Sequence, residues 1–146
     1  MLPVLNLPPI SSPLQKRDGK IWIFDGIRKK YVVLTPEEWV RQHVIQYLID
    51  NGYSKNLIKI ETGFSVGELH KRADIICYKN DGEPFLLVEC KNPFEKLNED
   101  VAIQISTYNK SVRAKFIMLT NGMKSLYYKT DWETGKISKV DALPSE

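Results

Sequence analysis

Cysteine and histidine are scarce, two of each in 146 residues. Cys77 and Cys90 stand alone with no C-x-x-C pair, which excludes a cysteine zinc site and a disulfide framework. Both lie in apolar runs, where a free thiol behaves as an inert small hydrophobe. His43 and His70 are the only imidazoles, so a mechanism built on a histidine base has few candidates. No apolar run approaches the roughly 20 residues that span a bilayer. The first ten residues lack a basic stretch and are broken by prolines, unlike a secretory signal. The expected location is the reducing cytoplasm.

What is present suits one globular domain. Hydrophobic residues make up 42% and charged residues 27%, which excludes wholesale disorder. Twenty-one basic against eighteen acidic residues leave +3, a balance that permits a nucleic-acid partner without arguing for one. Residues 1–19 hold four of the eight prolines and show no helical or strand period, so they read as an extended arm. Residues 20–146 read as the domain. Lys20–Asp25 and Tyr31–Leu34 are expected strands around a turn at Asp25-Gly26. Thr35-Pro36-Glu37-Glu38 combines an N-cap, a first-turn proline and a glutamate three residues after the cap, and predicts a helix running to about Asp50. Its apolar stripe is Val40, Val44, Tyr47 and Leu48.

Further strands are expected at Leu57–Glu61, Arg72–Lys79, Pro84–Lys91 and Lys115–Thr120, with a polar loop reaching Lys71. A second helix is expected over Asn98–Val112, with Val101, Ile105, Tyr108 and Val112 on one side. Ser125–Thr130 and Lys136–Val140 read as a terminal hairpin. The order predicts an α/β fold, a central mixed β-sheet flanked by α-helices.

The chemistry sits on the hairpin centred on Asn80–Glu83. A two-residue loop at Asp81-Gly82, or a four-residue loop over 80–83, pairs residues whose numbers sum to 163. Lys79 then faces Pro84, Ile76 faces Leu87, and Asp74 faces Glu89. Two carboxylates opposite each other repel unless one is protonated or a cation lies between them. Together with the Cys90 carbonyl oxygen they make a hard oxygen site of the kind that suits Mg²⁺ or Mn²⁺. Lys91 shares a face with Glu89 and is placed to orient a water or accept its proton. Such a set fits phosphodiester hydrolysis. The structural alternative makes Asp74 and Glu89 strand-end surface charges paired with Lys91 and Arg72. Against it, Glu89-Cys90-Lys91 ends a run too apolar for a solvated edge.

Gln104 and Tyr108, one turn apart on the second helix, are candidates to hold the scissile phosphate or Lys91. On spacing alone the stronger reading makes Tyr108 a core aromatic with a wet hydroxyl, merely flanked by Gln104. The first helix offers a third carboxylate. Glu37 falls with Val40, Val44 and Leu48 on the buried stripe and is favoured, while Glu38 is the alternative and has a capping job at Thr35.

Read together, Pro36-Glu-Glu-x-Val-Arg-Gln42, Arg72-Ala-Asp74, Leu87-Val-Glu-Cys-Lys91, Gln104-x-x-x-Tyr108 and Leu119-Thr-Asn-Gly122 resemble the PD-(D/E)XK nuclease superfamily. More narrowly, Thr35 to Tyr128 resembles the nuclease domain at the N-terminus of type I restriction enzyme R subunits. Ala73 stands where the superfamily pattern has proline. The resemblance implies that Asp74 and Glu89 bind metal, that Lys91 is catalytic, and that Gln104 and Tyr108 form an accessory motif. It places the helix glutamate on Glu37 or Glu38. The sequence has no G-x-x-x-x-G-K-[ST] loop, so the expectation is a stand-alone version without the ATP-driven motor.

The expected function is a Mg²⁺- or Mn²⁺-dependent DNA endonuclease, acting as a homodimer or with a partner protein that supplies specificity. The alternatives are a non-catalytic nucleic-acid-binding or assembly module, which would hold phosphates with Arg28, Lys29, Lys30, Lys71, Arg72, Lys110 and Arg113, and a purely protein-binding adaptor.

Overall fold

The computed structural model describes residues 2–60, 65–66, 69–70 and 74–145, with 65–66 and 69–70 described by backbone alone. Three strands come first: β1 (Leu14–Arg17), β2 (Lys20–Asp25) and β3 (Lys30–Val33), joined as an antiparallel sheet. Strand β1 corrects the expected arm. Leu14–Arg17 has no buried face and so no hydrophobic alternation to read, but pairing with β2 from Leu14↔Ile23 to Arg17↔Lys20 satisfies its backbone. The residues before it lie on the body of the molecule. Leu5 is buried, the Asn6 N–H donates to the Gly122 carbonyl, and the Trp39 indole N–H donates to Pro3.

Helix α1 (Pro36–Asp50) starts and stops where its sequence signals lie. The Thr35 hydroxyl accepts from the Glu38 N–H, proline occupies the first turn, and Gly52 takes a φ of 93° just beyond the Asn51 C-cap. The expected Leu57–Glu61 strand opens instead as a 3-10 turn over Lys55–Leu57, leaving β4 (Ile58–Ile60) as the extended part. Glu61 lies outside the described residues. Inside the expected polar loop, β5 (Ser65–Val66) and β6 (Leu69–His70) pair with each other.

Strands β7 (Ile75–Tyr78) and β8 (Pro84–Cys90) form the expected hairpin. Ile75↔Val88, Ile76↔Leu87 and Cys77↔Leu86 keep the predicted register, but an irregularity after Cys77 pairs Tyr78, not Lys79, with Pro84. The turn explains it: the Lys79 N–H bonds to Glu83 and the Gly82 N–H to Lys79, tightening the loop and using up one residue. Of the expected Arg72–Lys79 strand, residues 72–73 lie outside the described residues.

Helix α2 (Glu99–Val112) follows, capped by Asn98. It returns the chain to β9 (Phe116–Thr120), parallel to β8, as a β-helix-β crossover requires. Strands β10 (Ser125–Thr130) and β11 (Ile137–Val140) complete a six-stranded mixed sheet in the order β11-β10-β9-β8-β7-β4.

Helices cover both faces of that sheet. Val40, Val44 and Leu48 of α1 meet Ile75, Leu86, Val88, Cys90 and Met118 on one side. Ile105 of α2 meets Ile76, Leu87 and Ile117 on the other, with Tyr108 and Val112 packed against them. Full burial of Leu86, Leu87 and Val88 accounts for the unbroken apolar run in β8. Both cysteines are buried free thiols, as expected. Among the described residues no helix is long and apolar enough to cross a membrane.

Candidate active site

The first turn of α1 presents two glutamates with opposite fates. Glu38 is buried, and its carboxylate accepts from Arg28 at 2.8 Å, Arg41 at 2.6 Å and Gln42 at 2.9 Å. Its side chain therefore does not serve as the returning arm of a capping box. Glu37 keeps 36% of its side chain exposed and meets Arg41 at 3.3 Å. The expected burial is reversed between the two, because the Arg28 guanidinium and the Gln42 amide lie on the Glu38 side and offset its desolvation.

This ion network extends to the three-stranded sheet. Asp25, fully buried at the end of β2, accepts from the Ile27 and Arg28 N–H groups, the Arg28 guanidinium and Gln42. Burial pushes its carboxyl up, but the bonds from Arg28 outweigh that and hold it below its ordinary value.

Arg41 joins the network to the hairpin. It donates to Glu38 and, at 2.6 Å, to Asp74. Burial opposes its charge, yet Asp74 and Glu38 more than compensate and hold the guanidinium firmly protonated. Its Nε is buried with no hydrogen-bond partner among the described residues.

Asp74, 1% exposed, stands just ahead of β7. Its N–H donates to Val88, and its second carboxylate oxygen accepts from the Cys90 N–H at 2.7 Å. Glu89 continues the α2-side face of β8 two residues beyond Leu87. Burial pushes the Glu89 carboxyl up to about 8, and the charges of Asp74 and Glu37 add to the rise while Lys91 opposes it. Lys91 Nζ lies 3.5 Å from Glu89 and 3.9 Å from Glu95. Cys90 is wholly buried, its thiol pushed up first by burial and then by Asp74.

The strand end is pinned by the turn after β9. The Lys91 N–H donates to Thr120 at 2.8 Å, and the Asn121 amide holds the Glu95 carbonyl at 2.8 Å. Gly122, at φ 83°, has Leu5 2.9 Å from where a Cβ would stand, so the Thr-Asn-Gly stretch also fixes the N-terminal segment.

Among the described residues no group of three His, Cys, Asp or Glu side chains is gathered tightly enough to hold a metal by itself. The Asp74 and Glu37 carboxylates are near enough to be felt electrostatically at Glu89.

Residues 36–144 match the family model described as the type I restriction enzyme R protein N terminus. The chain belongs to this family. No curated protein matches it. A fragment structure of a putative HsdR subunit of a type I restriction enzyme from Vibrio vulnificus YJ016 shares the fold, with a TM-score of 0.57 and 23% identity over 77% of the chain. The chain spans 24% of that structure's length. The strands β1–β3 precede the segment that defines the family.

The remaining expected residues are distributed unevenly. Tyr108 packs on the Ile76–Leu87 side of the sheet, and Gln104, one turn earlier, is exposed. Of the basic residues proposed to hold phosphate, Arg28 is committed to Asp25 and Glu38, and Arg113 stacks on Trp132 at 4.4 Å. Lys29, Lys30 and Lys110 are exposed. Lys71 and Arg72 lie outside the described residues.

Sequence reading quoted Arg41 and Gln42 only within the family motif and Asp25 only as a turn residue, and gave none of them a role in the site. A signal was available for Arg41. Facing carboxylates demand a cation, and Arg41 lies three and four residues after Glu38 and Glu37, within reach on a helix.

Proposed function

We propose that this domain is a metal-dependent nuclease that hydrolyses DNA phosphodiester bonds within a restriction system. The observation that carries the reading is Glu89, a half-buried carboxylate with 17% of its side chain exposed and Lys91 3.5 Å away, its carboxyl pushed up to about 8 by burial and by the charges of Asp74 and Glu37. A structural carboxylate recruits its own cations, as Glu38 does. Glu89 is left where an added positive charge lowers its energy.

The donors fit a hard divalent ion: Asp74, Glu89 and the Cys90 carbonyl are the ligands, with Glu37 as the helix carboxylate. Glu38 is left out, since three donors already occupy its carboxylate. When bound, Mg²⁺ or Mn²⁺ supplies Lewis-acid polarisation and neutralises charge developing on the phosphate. Lys91, 3.5 Å from Glu89, orients the attacking water. Arg41 keeps Asp74 in place from α1. Tyr108 and Gln104 present a hydroxyl and an amide from α2, toward the phosphate or Lys91. A second copy or a partner protein supplies sequence specificity.

The test is nicking of supercoiled plasmid by the full chain with Mg²⁺ or Mn²⁺. Glu89→Ala and Lys91→Ala should each abolish nicking while circular dichroism stays unchanged. Equal cleavage by both variants and the parent would refute the assignment.

A further inference from the structure

The first 34 residues, ahead of the family-defining segment, carry six basic residues against two acidic. The other 112 carry fifteen against sixteen, so the entire positive excess of the chain sits in the β1–β3 region. Of those eight charges, Asp25 and Arg28 pair with each other, while Lys16, Arg17, Lys20, Lys29 and Lys30 are exposed with Asp18.

We propose that the outer face of the β1–β3 sheet is a docking platform for a single nucleic-acid strand. Strand alternation sorts the two faces. Ile23 and Asp25 are fully buried on one, where Asp25 accepts from Gln42 of α1, so that face looks toward the body of the molecule. The opposite face carries Trp22, Phe24, Tyr31 and Val33, brought together by the pairs Trp22↔Val33 and Phe24↔Tyr31. All four are half-buried, and none belongs to either core cluster.

Their arrangement suits bases. Phe24 and Tyr31 meet edge to face at 5.3 Å, and the Arg17 guanidinium lies over the Trp22 ring at 4.4 Å. A guanidinium over an indole offers a stacking surface and a phosphate donor in one group. The lysines stand at both ends of the aromatic row, Lys20 on its face beside the β1–β2 turn and Lys29 in the β2–β3 turn, while Lys30, paired with Asp25, belongs to the opposite face. The row between them follows β2, about 20 Å long. Aromatics along a path with cations at each end make the pattern that holds an unpaired strand by stacking and phosphate contact. A duplex, its bases already stacked, would use only the lysines.

The proposal stands apart from the nuclease reading, since it involves no metal and breaks no bond. The test uses the full chain in EDTA, fluorescein-labelled oligothymidylate, and the duplex of that strand with its complement, all followed by fluorescence anisotropy. The single strand should bind more tightly than the duplex. A Lys20→Glu, Lys29→Glu variant should lose about tenfold or more and show a shallower salt dependence. Trp22→Ala should lose about tenfold without that change in salt slope; should it fail to fold, the exposed lysine variant carries the test alone. Lys136→Glu, Lys139→Glu near the far edge of the large sheet should bind like the parent. Absence of binding, tighter binding of the duplex, or equal loss in the far-edge variant would each overturn the proposal. Persistence of binding in a Glu89→Gln chain that no longer nicks would support it and would separate it from the catalytic reading.

Discussion

Two neighbouring groups of carboxylates, one on each side of Arg41, differ in how their charge is answered. On the side of the three-stranded sheet, Asp25 and Glu38 are buried under donors from Arg28, Gln42 and Arg41. On the hairpin side, Asp74 is buried and Glu89 is half-buried among like charges with Lys91 as its nearby cation, and the Glu89 carboxyl rises to about 8. Both regions bury acid. Only the second leaves the acid unfavourably placed, and that difference separates a carboxylate that holds a fold together from one positioned for chemistry.

The largest effect should come from removing the hinge of the comparison. Arg41→Ala strands Asp74 and Glu38 in the interior, and urea denaturation should show a loss of about 3–5 kcal/mol. A loss below about 1 kcal/mol would mean the network contributes little. Next, Glu38→Gln should cost about 1.5–3 kcal/mol through lost charged hydrogen bonds while leaving Mn²⁺ binding intact. Loss of Mn²⁺ binding in a folded Glu38→Gln protein would move Glu38 into the metal site and erase the contrast.

Glu89 predicts a pH signature of the opposite sign. Its carboxyl titrates near 8 in the folded chain against an ordinary value of 4.5, so between these pH values the folded state holds a proton that the unfolded chain releases. Stability from this group is therefore lost as pH rises from about 4.5 to about 8. Glu89→Gln should match the parent in acid and melt higher than the parent above pH 8, as seen in thermal denaturation across that range. A constant difference at all pH values would show that Glu89 is not buried against charge. The smallest effect belongs to Glu37→Gln, which should change stability by no more than about 0.5 kcal/mol and yet weaken Mn²⁺ binding.

Sequence made the backbone of this comparison legible, because each signal was local. Thr35-Pro36 set the start of α1, Asn98 the start of α2, and the Asn80–Glu83 turn the register from Ile75 to Cys77. Apolar continuity in β8 and β9 gave the buried centre of the sheet. The misses involve partners distant in sequence. Which of Glu37 and Glu38 is buried depends on Arg28, which lies in the connection from β2 to β3 and reaches Glu38 only when that connection packs on α1. The helical wheel contains no term for that. Strand β1 escaped notice because all four of its residues are exposed, leaving no pattern to read. The pairing of Tyr78 with Pro84 turned on a one-residue irregularity that loop length alone does not encode.

The account rests on a divalent cation answering the charge around Glu89. Isothermal titration of Mn²⁺ into the full chain, Glu38→Gln and Glu89→Gln at neutral pH tests it most directly. The prediction is one site in the parent and in Glu38→Gln, and none in Glu89→Gln. Undiminished Mn²⁺ binding by a folded Glu89→Gln chain would contradict it.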